Sequence, residues 1–208
     1  MTVLSRQKFS AVVFLAATFV GMPPAMADGN SKSMPSSYWR GGYFGPEFSL
    51  TMLKNTYNPT VPIGVRKLKA NGKIIGMVGG YNFLRKGFMW GVEGSVANGS
   101  VFTDDLSYIA TLRGRIGKPI NYSLPYVIAG PALAGLKKSP AGAPYKSSST
   151  QVGLVVGIGF EQVLANAISG RLEYTYARFF TNGRSGGARV RLKNLNMFRA
   201  SVVVHLRD

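Results

Sequence analysis

Apolar residues alternate with small or polar ones along most of the chain. From 43 to 52, Phe44, Phe48 and Leu50 fall on one side of the pattern, and Glu47 and Ser49 fall on the other. This period of two residues is that of a β-strand with one apolar face. The same split predicts eight strands, at 43–52, 74–83, 88–97, 108–116, 124–136, 152–160, 169–176 and 198–206.

The stretch 124–136 is the least regular of the eight. Pro131 lies within it, and proline cannot donate a hydrogen bond to a neighbouring strand. The pattern therefore defines the far end of this strand less well than the ends of the others.

The connections between the predicted strands alternate in length. Four are long, at 54–71, 97–105, 137–150 and 179–193, whereas those around Arg85, Asn121 and Ala165 are short. Long and short connections at opposite ends are typical of an up-and-down membrane barrel with its short turns in the periplasm. The predicted fold is all-β, an eight-stranded antiparallel up-and-down transmembrane β-barrel.

A soluble, lipocalin-like barrel is the structural alternative, but its apolar face would point inward. Here the set predicted to face inward consists of Gly, Ser, Thr, Glu and Arg, and the outward set is large and apolar. Such an exterior requires lipid.

The N-terminal residues have the order of a secretory signal. Arg6 and Lys8 precede the apolar run 9–20, and Ala25-Met26-Ala27 provides small residues for cleavage before Asp28. The run is too short for a membrane-spanning helix, which needs about 20 residues. We therefore expect a signal peptide at 1–27, a flexible polar leader at 28–37 and one barrel domain at 38–208, which contains no cysteine.

Several segments resemble the small outer-membrane β-barrel family of alphaproteobacteria. These segments are WRGGY (39–43), GGYNF (79–83), GVEG (91–94), TLRGRIG (111–117), PY (125–126), GIGFE (157–161) and RLEYTY (171–176). The family contains porin-like surface antigens with haemin-binding members, and it is distantly related to the transmembrane domain of the OmpA type. The resemblance implies the same fold, the outer membrane as location and delivery by the outer-membrane insertion machinery.

The last strand departs from the family pattern, which usually ends on an aromatic residue. Leu206 takes that place and is followed by Arg207 and Asp208. The resemblance therefore supports the fold more strongly than it supports efficient insertion.

Charged residues of both signs fall on the predicted inner face. They are Glu47, Glu93, Arg113, Arg115, Glu161, Arg171, Glu173 and Arg199, four of each sign. An eight-stranded barrel has an interior that side chains fill, and unpaired buried charges are costly. The eight residues are expected to form a paired network that plugs the lumen, with Glu93 and Arg113 facing each other on neighbouring strands. A glycosidase-like carboxylate pair or a gated ion path are the alternatives, and they are disfavoured because four arginines keep the carboxylates ionised.

The remaining positive charge gathers in three of the four long connections, whereas the connection 97–105 contains Asp104 and Asp105. The predicted anion-binding residues are Lys54, Arg66, Lys67, Lys69, Lys73, Lys137, Lys138, Lys146, Arg184, Arg189, Arg191 and Lys193, and Arg178 lies beside them. Facing outward, they suit the phosphates of lipopolysaccharide. The same positive potential would attract haem propionates and anionic host polysaccharides. Nucleic acid is not expected as a partner of an exported barrel. A solvated charged loop with no specific ligand remains the simplest interpretation.

Candidate catalytic groups are scarce. His205 is the only histidine. It stands at the end of the last strand with no serine two residues after it, and we interpret it as a rim residue. Acyl chemistry on lipid A needs a nucleophile beside a base, so no enzymatic activity, metal site or cofactor is expected. The predicted function is that of a monomeric structural and surface-interaction protein of the outer membrane. The alternative is a haemin-binding or host-ligand-binding protein of the same fold, and the third hypothesis is a lipid A-modifying enzyme.

Overall fold

The structure is a computed structural model, and it describes residues 35–54, 71–98, 106–138, 147–180, 183–185, 188–190 and 194–206. The described chain begins with a short 3-10 helix and continues almost entirely as strands. They are helix Ser36–Trp39 and strands β1 Gly41–Lys54, β2 Asn71–Arg85, β3 Phe88–Asn98, β4 Leu106–Gly117, β5 Ser123–Lys138, β6 Ser147–Ala165, β7 Ile168–Phe179, β8 Gly183–Ser185, β9 Ala188–Val190 and β10 Asn194–His205.

Eight of these strands close into one antiparallel barrel. The order around it is β1-β10-β7-β6-β5-β4-β3-β2, so each long strand pairs with its neighbours in sequence and β1 pairs with β10. β8 and β9 pair only with each other, within the connection between β7 and β10. The eight-stranded up-and-down barrel predicted from the sequence is confirmed.

Strand β5 continues through Pro131 as far as Lys138, where Pro131 stands opposite Leu154 of β6. Its pattern is irregular in sequence because its inward residues are themselves apolar. Leu124, Tyr126 and Ile128 are all buried, whereas Val127 between them is exposed. Because both the inward and the outward residues of this stretch are apolar, the sequence shows no polar face there.

The turns at one end of the barrel are short for local reasons. Lys86 and Gly87 join β2 to β3 with φ angles of 51° and 76°, as a two-residue hairpin turn with positive φ at both positions requires. Asn121, also at φ 51°, lies in the turn between β4 and β5. All the long connections leave the opposite end, as the sequence predicts, and in such barrels the short turns lie on the periplasmic side.

Large apolar side chains cover the outside of the barrel. Val96, Ile158 and Met77 expose 60–63% of their surface, and Phe83 and Trp90 are more than half exposed. A surface of this kind is stable in contact with hydrocarbon. No helix within the described ranges is both long and apolar enough to cross a bilayer.

The interior of the barrel is layered, and the buried charged side chains that the structure describes lie in its middle layer. Near the long connections the buried side chains form an apolar cluster: Ile74, Ala97, Ile109, Ala132, Ala134, Val155, Ala177, Phe179, Leu195 and Met197. The expectation that small and polar residues form the inner set is therefore wrong at this end. Burying these apolar side chains against one another is favourable because it removes them from water. Polar side chains in the same place would need hydrogen-bond partners to offset the loss of water.

The chain segment that precedes β1 packs into the barrel at the end with the short turns. Trp39 is fully buried and Tyr38 nearly so, in a cluster with Met89, Leu124 and Val163. The 3-10 helix begins at Ser36, inside the predicted leader, while the predicted signal peptide lies outside the described residues. No alternation marks residues 36–39, so the sequence pattern gave no indication of this cap.

Candidate functional site

The middle layer of the lumen contains all eight charged residues predicted to face inward. They come from β1, β3, β4, β6, β7 and β10, and each exposes no more than 6% of its surface. The four glutamates among them are all the glutamates of the chain. The strands bring them together because each occupies an inward position of the two-residue repeat.

Glu93 is the centre of the network, since three guanidinium groups meet its carboxylate. Arg113, its register partner on β4, donates from Nη2 to Glu93 Oε1. Arg171 Nη2 donates to Oε2 at 2.6 Å, and Arg115 Nη1 lies 3.7 Å from the same oxygen. Tyr43 Oη donates to Oε2 at 2.7 Å. The expected contact between Glu93 and Arg113 is thus one of several made by this carboxylate.

Two further glutamates share the same arginines. Glu161 Oε2 accepts a hydrogen bond from Arg115 Nη2 at 2.9 Å and lies 3.1 Å from Arg171 Nε. Glu173 Oε2 accepts from Arg113 Nη1 at 2.9 Å. Three carboxylates and three guanidinium groups therefore form one connected cluster in which the charges balance.

Glu47 and Arg199 form a second group on the two strands that close the barrel. Arg199 Nη1 lies 3.0 Å from Glu47 Oε1 and 3.3 Å from Oε2. It also donates to Ser95 Oγ at 3.1 Å, and Ser95 hydrogen-bonds Thr111 at 2.8 Å. Hydroxyl groups thus extend this pair across the lumen towards β3 and β4.

Two tyrosines complete the central cluster. Tyr126 Oη donates to Glu173 Oε1 at 2.7 Å. The Arg115 Cζ atom lies 4.1 Å from the centre of the Tyr126 ring, and the Arg171 Cζ atom lies 4.9 Å from that of Tyr43. Stacking of guanidinium groups on aromatic rings is favourable, and more so away from water.

Glycines opposite the tyrosines make room for their rings. A Cβ atom on Gly80 would lie 2.6 Å from Tyr43 Oη, and a Cβ on Gly159 would overlap the ring of Tyr126. The glycines that appear in sequence as the small members of the inner face therefore complement large inner side chains on other strands.

The interpretation of His205 as a rim residue is wrong, because the side chain is buried inside the barrel. His205 Nε2 is 2.9 Å from Glu161 Oε1 and 3.0 Å from Ser169 Oγ. A Ser-His-acid triad uses the two opposite ring nitrogens, whereas both contacts here involve Nε2. Ser169 is also fully buried. The group therefore lacks the geometry and the access that acyl transfer requires.

Those residues predicted to bind anions that the structure describes lie at the end with the long connections. Lys73 is exposed on β2, as is Arg178 on β7. Lys54, Lys137 and Lys138 end their strands, and Arg184 and Arg189 belong to β8 and β9. The others lie outside the described residues: Arg66, Lys67, Lys69, Lys146, Arg191 and Lys193.

The interior is balanced in charge, whereas the described surface carries charge of one sign. Every acidic residue that the described ranges contain is one of the four lumen glutamates. The exposed charged side chains among the same residues are all basic: Arg40, Lys73, Arg85, Lys86, Lys118 and Arg178. No group of histidine, cysteine and acidic side chains in the described part of the chain is placed to hold a metal ion.

Comparison with known proteins agrees with this architecture. Neisserial surface protein A has a TM-score of 0.52 at 14% identity, over 80% of this chain and 97% of that one. Ail, the attachment invasion locus protein of Yersinia pestis, has a TM-score of 0.50 at 16% identity, over 80% and 99%. These likenesses support the fold. A closed barrel with an apolar exterior and this topology defines a protein of the bacterial outer membrane.

The sequence comparisons identify the family. The chain belongs to the outer membrane protein beta-barrel domain family, whose model matches residues 12–205. The 25 kDa outer-membrane immunogenic protein of Brucella canis is 30% identical over 177 residues, which cover 82% of this chain and 79% of that protein. The 22 kDa outer membrane protein of Rhizobium leguminosarum bv. viciae is 33% identical over 107 residues, 48% of this chain and 49% of the other. The predicted family resemblance and outer-membrane location are confirmed.

Proposed function

We propose that this outer-membrane protein has a structural and surface-interaction role. In this proposal the charge network plugs the lumen, and the basic connections at the outer end contact the phosphates of lipopolysaccharide or other anionic ligands. The observation that carries it is the distribution of charge: all described acids are paired with arginines inside the barrel, and every exposed charged side chain that the structure describes is basic.

Three consecutive layers support a closed lumen. The aromatic cap around Trp39 fills the periplasmic end, the balanced network fills the middle, and the apolar cluster around Phe179 and Leu195 fills the outer part. Eight strands enclose little more space than side chains occupy. An ion would have to displace paired charges and cross an apolar layer, where its hydration is lost at a high cost in free energy.

We therefore expect the refolded protein to conduct poorly in planar bilayers. The measurement is single-channel recording of purified protein in symmetric salt, with an open porin as a positive control. The charge-neutral double variant Glu93→Gln/Arg113→Gln provides a comparison, since it removes the central pair while nearly retaining its volume. Stable large-conductance steps from the wild-type protein would contradict a plugged lumen.

The outer end supports contact with an anionic surface. Lys73 and Arg178 are exposed, and the three lysines that end β1 and β5 add positive charge at the same end of the barrel. Lipopolysaccharide supplies phosphates at this level of the outer leaflet. Ion pairs of this kind weaken as salt rises, because the charges are screened over about 10 Å at moderate ionic strength.

Lys73→Gln/Lys138→Gln should weaken lipopolysaccharide binding, because each change removes one positive charge at the outer end. We expect a loss of affinity of about threefold to tenfold at low salt, as for exposed ion pairs, and a smaller loss at high salt. Binding is measured with the protein in nanodiscs of zwitterionic lipid. Lys73→Arg/Lys138→Arg, which keeps both positive charges at the same positions, is the matched control and should bind as the wild type does.

Haemin binding is the alternative interaction for the same basic surface. Titration of haemin into the refolded, loop-intact protein separates the two proposals. Saturable binding with a shifted haem absorption band would favour haemin, whereas its absence together with a normal response to lipopolysaccharide favours the structural and surface role.

Equal lipopolysaccharide binding by Lys73→Gln/Lys138→Gln and by its matched control would contradict the proposed contact with lipopolysaccharide.

A further inference from the structure

The periplasmic rim of the barrel also exposes basic side chains, at the end opposite to the proposed ligand surface. Arg40 precedes β1, Arg85 ends β2, Lys86 lies in the β2–β3 turn and Lys118 follows β4. All four are exposed, and no ion pair involves them within the described part of the chain. We call these four residues the basic sector.

The basic sector occupies one side of the rim. Gly41 stands opposite Asn82 in the register of β1 and β2, and Met89 stands opposite Gly117 in that of β3 and β4. The four bases therefore follow one another along the ends of four adjacent strands. The rim formed by β5, β6, β7 and β10 exposes no charged side chain among the residues that the structure describes, and its β6–β7 turn is Asn166-Ala167.

Aromatic side chains lie directly above the basic sector on the lipid-facing surface. Phe83 stands opposite Trp90, and Arg85 stands opposite Phe88. Tyr81 packs on Phe83 with ring centres 4.9 Å apart, and all four aromatic rings are exposed. Exposed aromatic rings of membrane proteins gather at the level of the lipid headgroups. The guanidinium and ammonium groups of the sector are thus placed at the height of the lipid phosphates.

We propose that the basic sector binds the phosphate groups of anionic phospholipids in the periplasmic leaflet. The lipid is of the phosphatidylglycerol class, with its phosphate among Arg85, Lys86 and Lys118 and its acyl chains against the aromatic row above them. This interaction lies at the other end of the barrel from the proposed lipopolysaccharide contact and is independent of it.

The position of the sector favours a lipid over a soluble polyanion. The bases border the lipid-facing aromatic row, where a phosphate arrives attached to hydrocarbon that Phe83 and Trp90 can contact. Basic residues beside a membrane surface attract anionic lipid by an amount equivalent to about fivefold in affinity per charge. The described rim contains no carboxylate to oppose this field.

The test compares the retention of anionic and zwitterionic lipid by the refolded, mature protein. Wild type, Arg85→Gln/Lys86→Gln/Lys118→Gln and the charge-retaining control Arg85→Lys/Lys86→Arg/Lys118→Arg are placed in mixed nanodiscs. Bound lipid is measured by spin-label mobility with labelled phosphatidylglycerol and labelled phosphatidylcholine. We expect wild type and control to prefer phosphatidylglycerol, and the rim variant to lose that preference by about tenfold or more. High salt should also reduce the preference of the wild type for phosphatidylglycerol, because it screens the charges of the basic sector.

Each other outcome would overturn the proposal. A rim variant that keeps the wild-type preference, or a control that loses it equally, would show that the sector does not select the lipid. If the rim variant does not refold, the wild type alone is decisive. The proposal is then contradicted if the wild type shows no preference for phosphatidylglycerol, or if that preference does not change with salt. Displacement of the lipid by inorganic phosphate or by a soluble peptidoglycan fragment, each at the concentration of the lipid, would assign the sector to a soluble anion instead.

Discussion

Glu93→Ala is expected to destabilise the folded barrel by about 3 to 5 kcal/mol, the cost of leaving buried charges without a partner. The Glu93 side chain is fully buried and touches three guanidinium groups. Its removal leaves Arg113, Arg115 and Arg171 with only two carboxylates. The measurement is the free energy of unfolding in urea, with the protein refolded into lipid vesicles.

Arg113→Ala should also destabilise the barrel, because it takes one guanidinium from both Glu93 and Glu173. The double variant Glu93→Ala/Arg113→Ala should lose less than the sum of the two single variants, since the two residues contact each other. Glu93→Ala combined with Lys73→Ala at the exposed outer end provides the control, and these two effects should add. If the losses of unfolding free energy from the two single lumen variants add in full, the two side chains do not interact, and the contact that the strand register predicts is absent.

Trp39→Ala should cost about 3 kcal/mol, at the lower end of the range for removing a large buried aromatic side chain. The indole is fully buried and packs edge-on against Tyr38 and His205, with ring centres 5.2 and 5.9 Å apart. The estimate is at the lower end because the 3-10 helix that carries Trp39 is not part of the strands and can open locally without unfolding the barrel.

The chain supplies its own control for this substitution. Its second tryptophan, Trp90, is 52% exposed on the lipid-facing side, so Trp90→Ala should cost clearly less than Trp39→Ala. Trp39→Phe should be mild, because the indole Nε1 has no hydrogen-bond partner in the part of the chain that the structure describes. Equal losses from both alanine variants, measured by urea unfolding, would contradict the cap.

The strands could be predicted from sequence because lipid outside and a charged middle layer inside impose opposite chemistry on alternate residues. The pairing of Glu93 with Arg113 could be predicted for the same reason, since neighbouring strands place them side by side. The bonds from Arg113 to Glu173 and from Arg171 to Glu93 could not. They join residues across the lumen, where contact depends on the width and stagger of the barrel and not on local sequence.

Other members of the site were hidden because their chemistry does not alternate. Tyr126 lies among apolar inward residues of β5, so no polar pattern marks it. The sequence around His205 likewise gives no sign that its side chain contacts Ser169 and Glu161. Trp39 belongs to a single helical turn with no repeat at all. In each case the missing information is tertiary: which side chains meet once the barrel has closed.

The seam between β1 and β10 imposes an order on folding. Glu47 and Arg199 meet across it although 152 positions separate them in the chain, and Tyr43 pairs with His205 along the same seam. Pairings of such high contact order form slowly, because a long loop must be closed before any contact rewards it. Until β10 pairs with it, one edge of β1 therefore stays unpaired and the Glu47 carboxylate lacks Arg199. Closure of the barrel thus requires its first and last strands together, and a chain that lacks β10 carries an open edge that can pair with other chains.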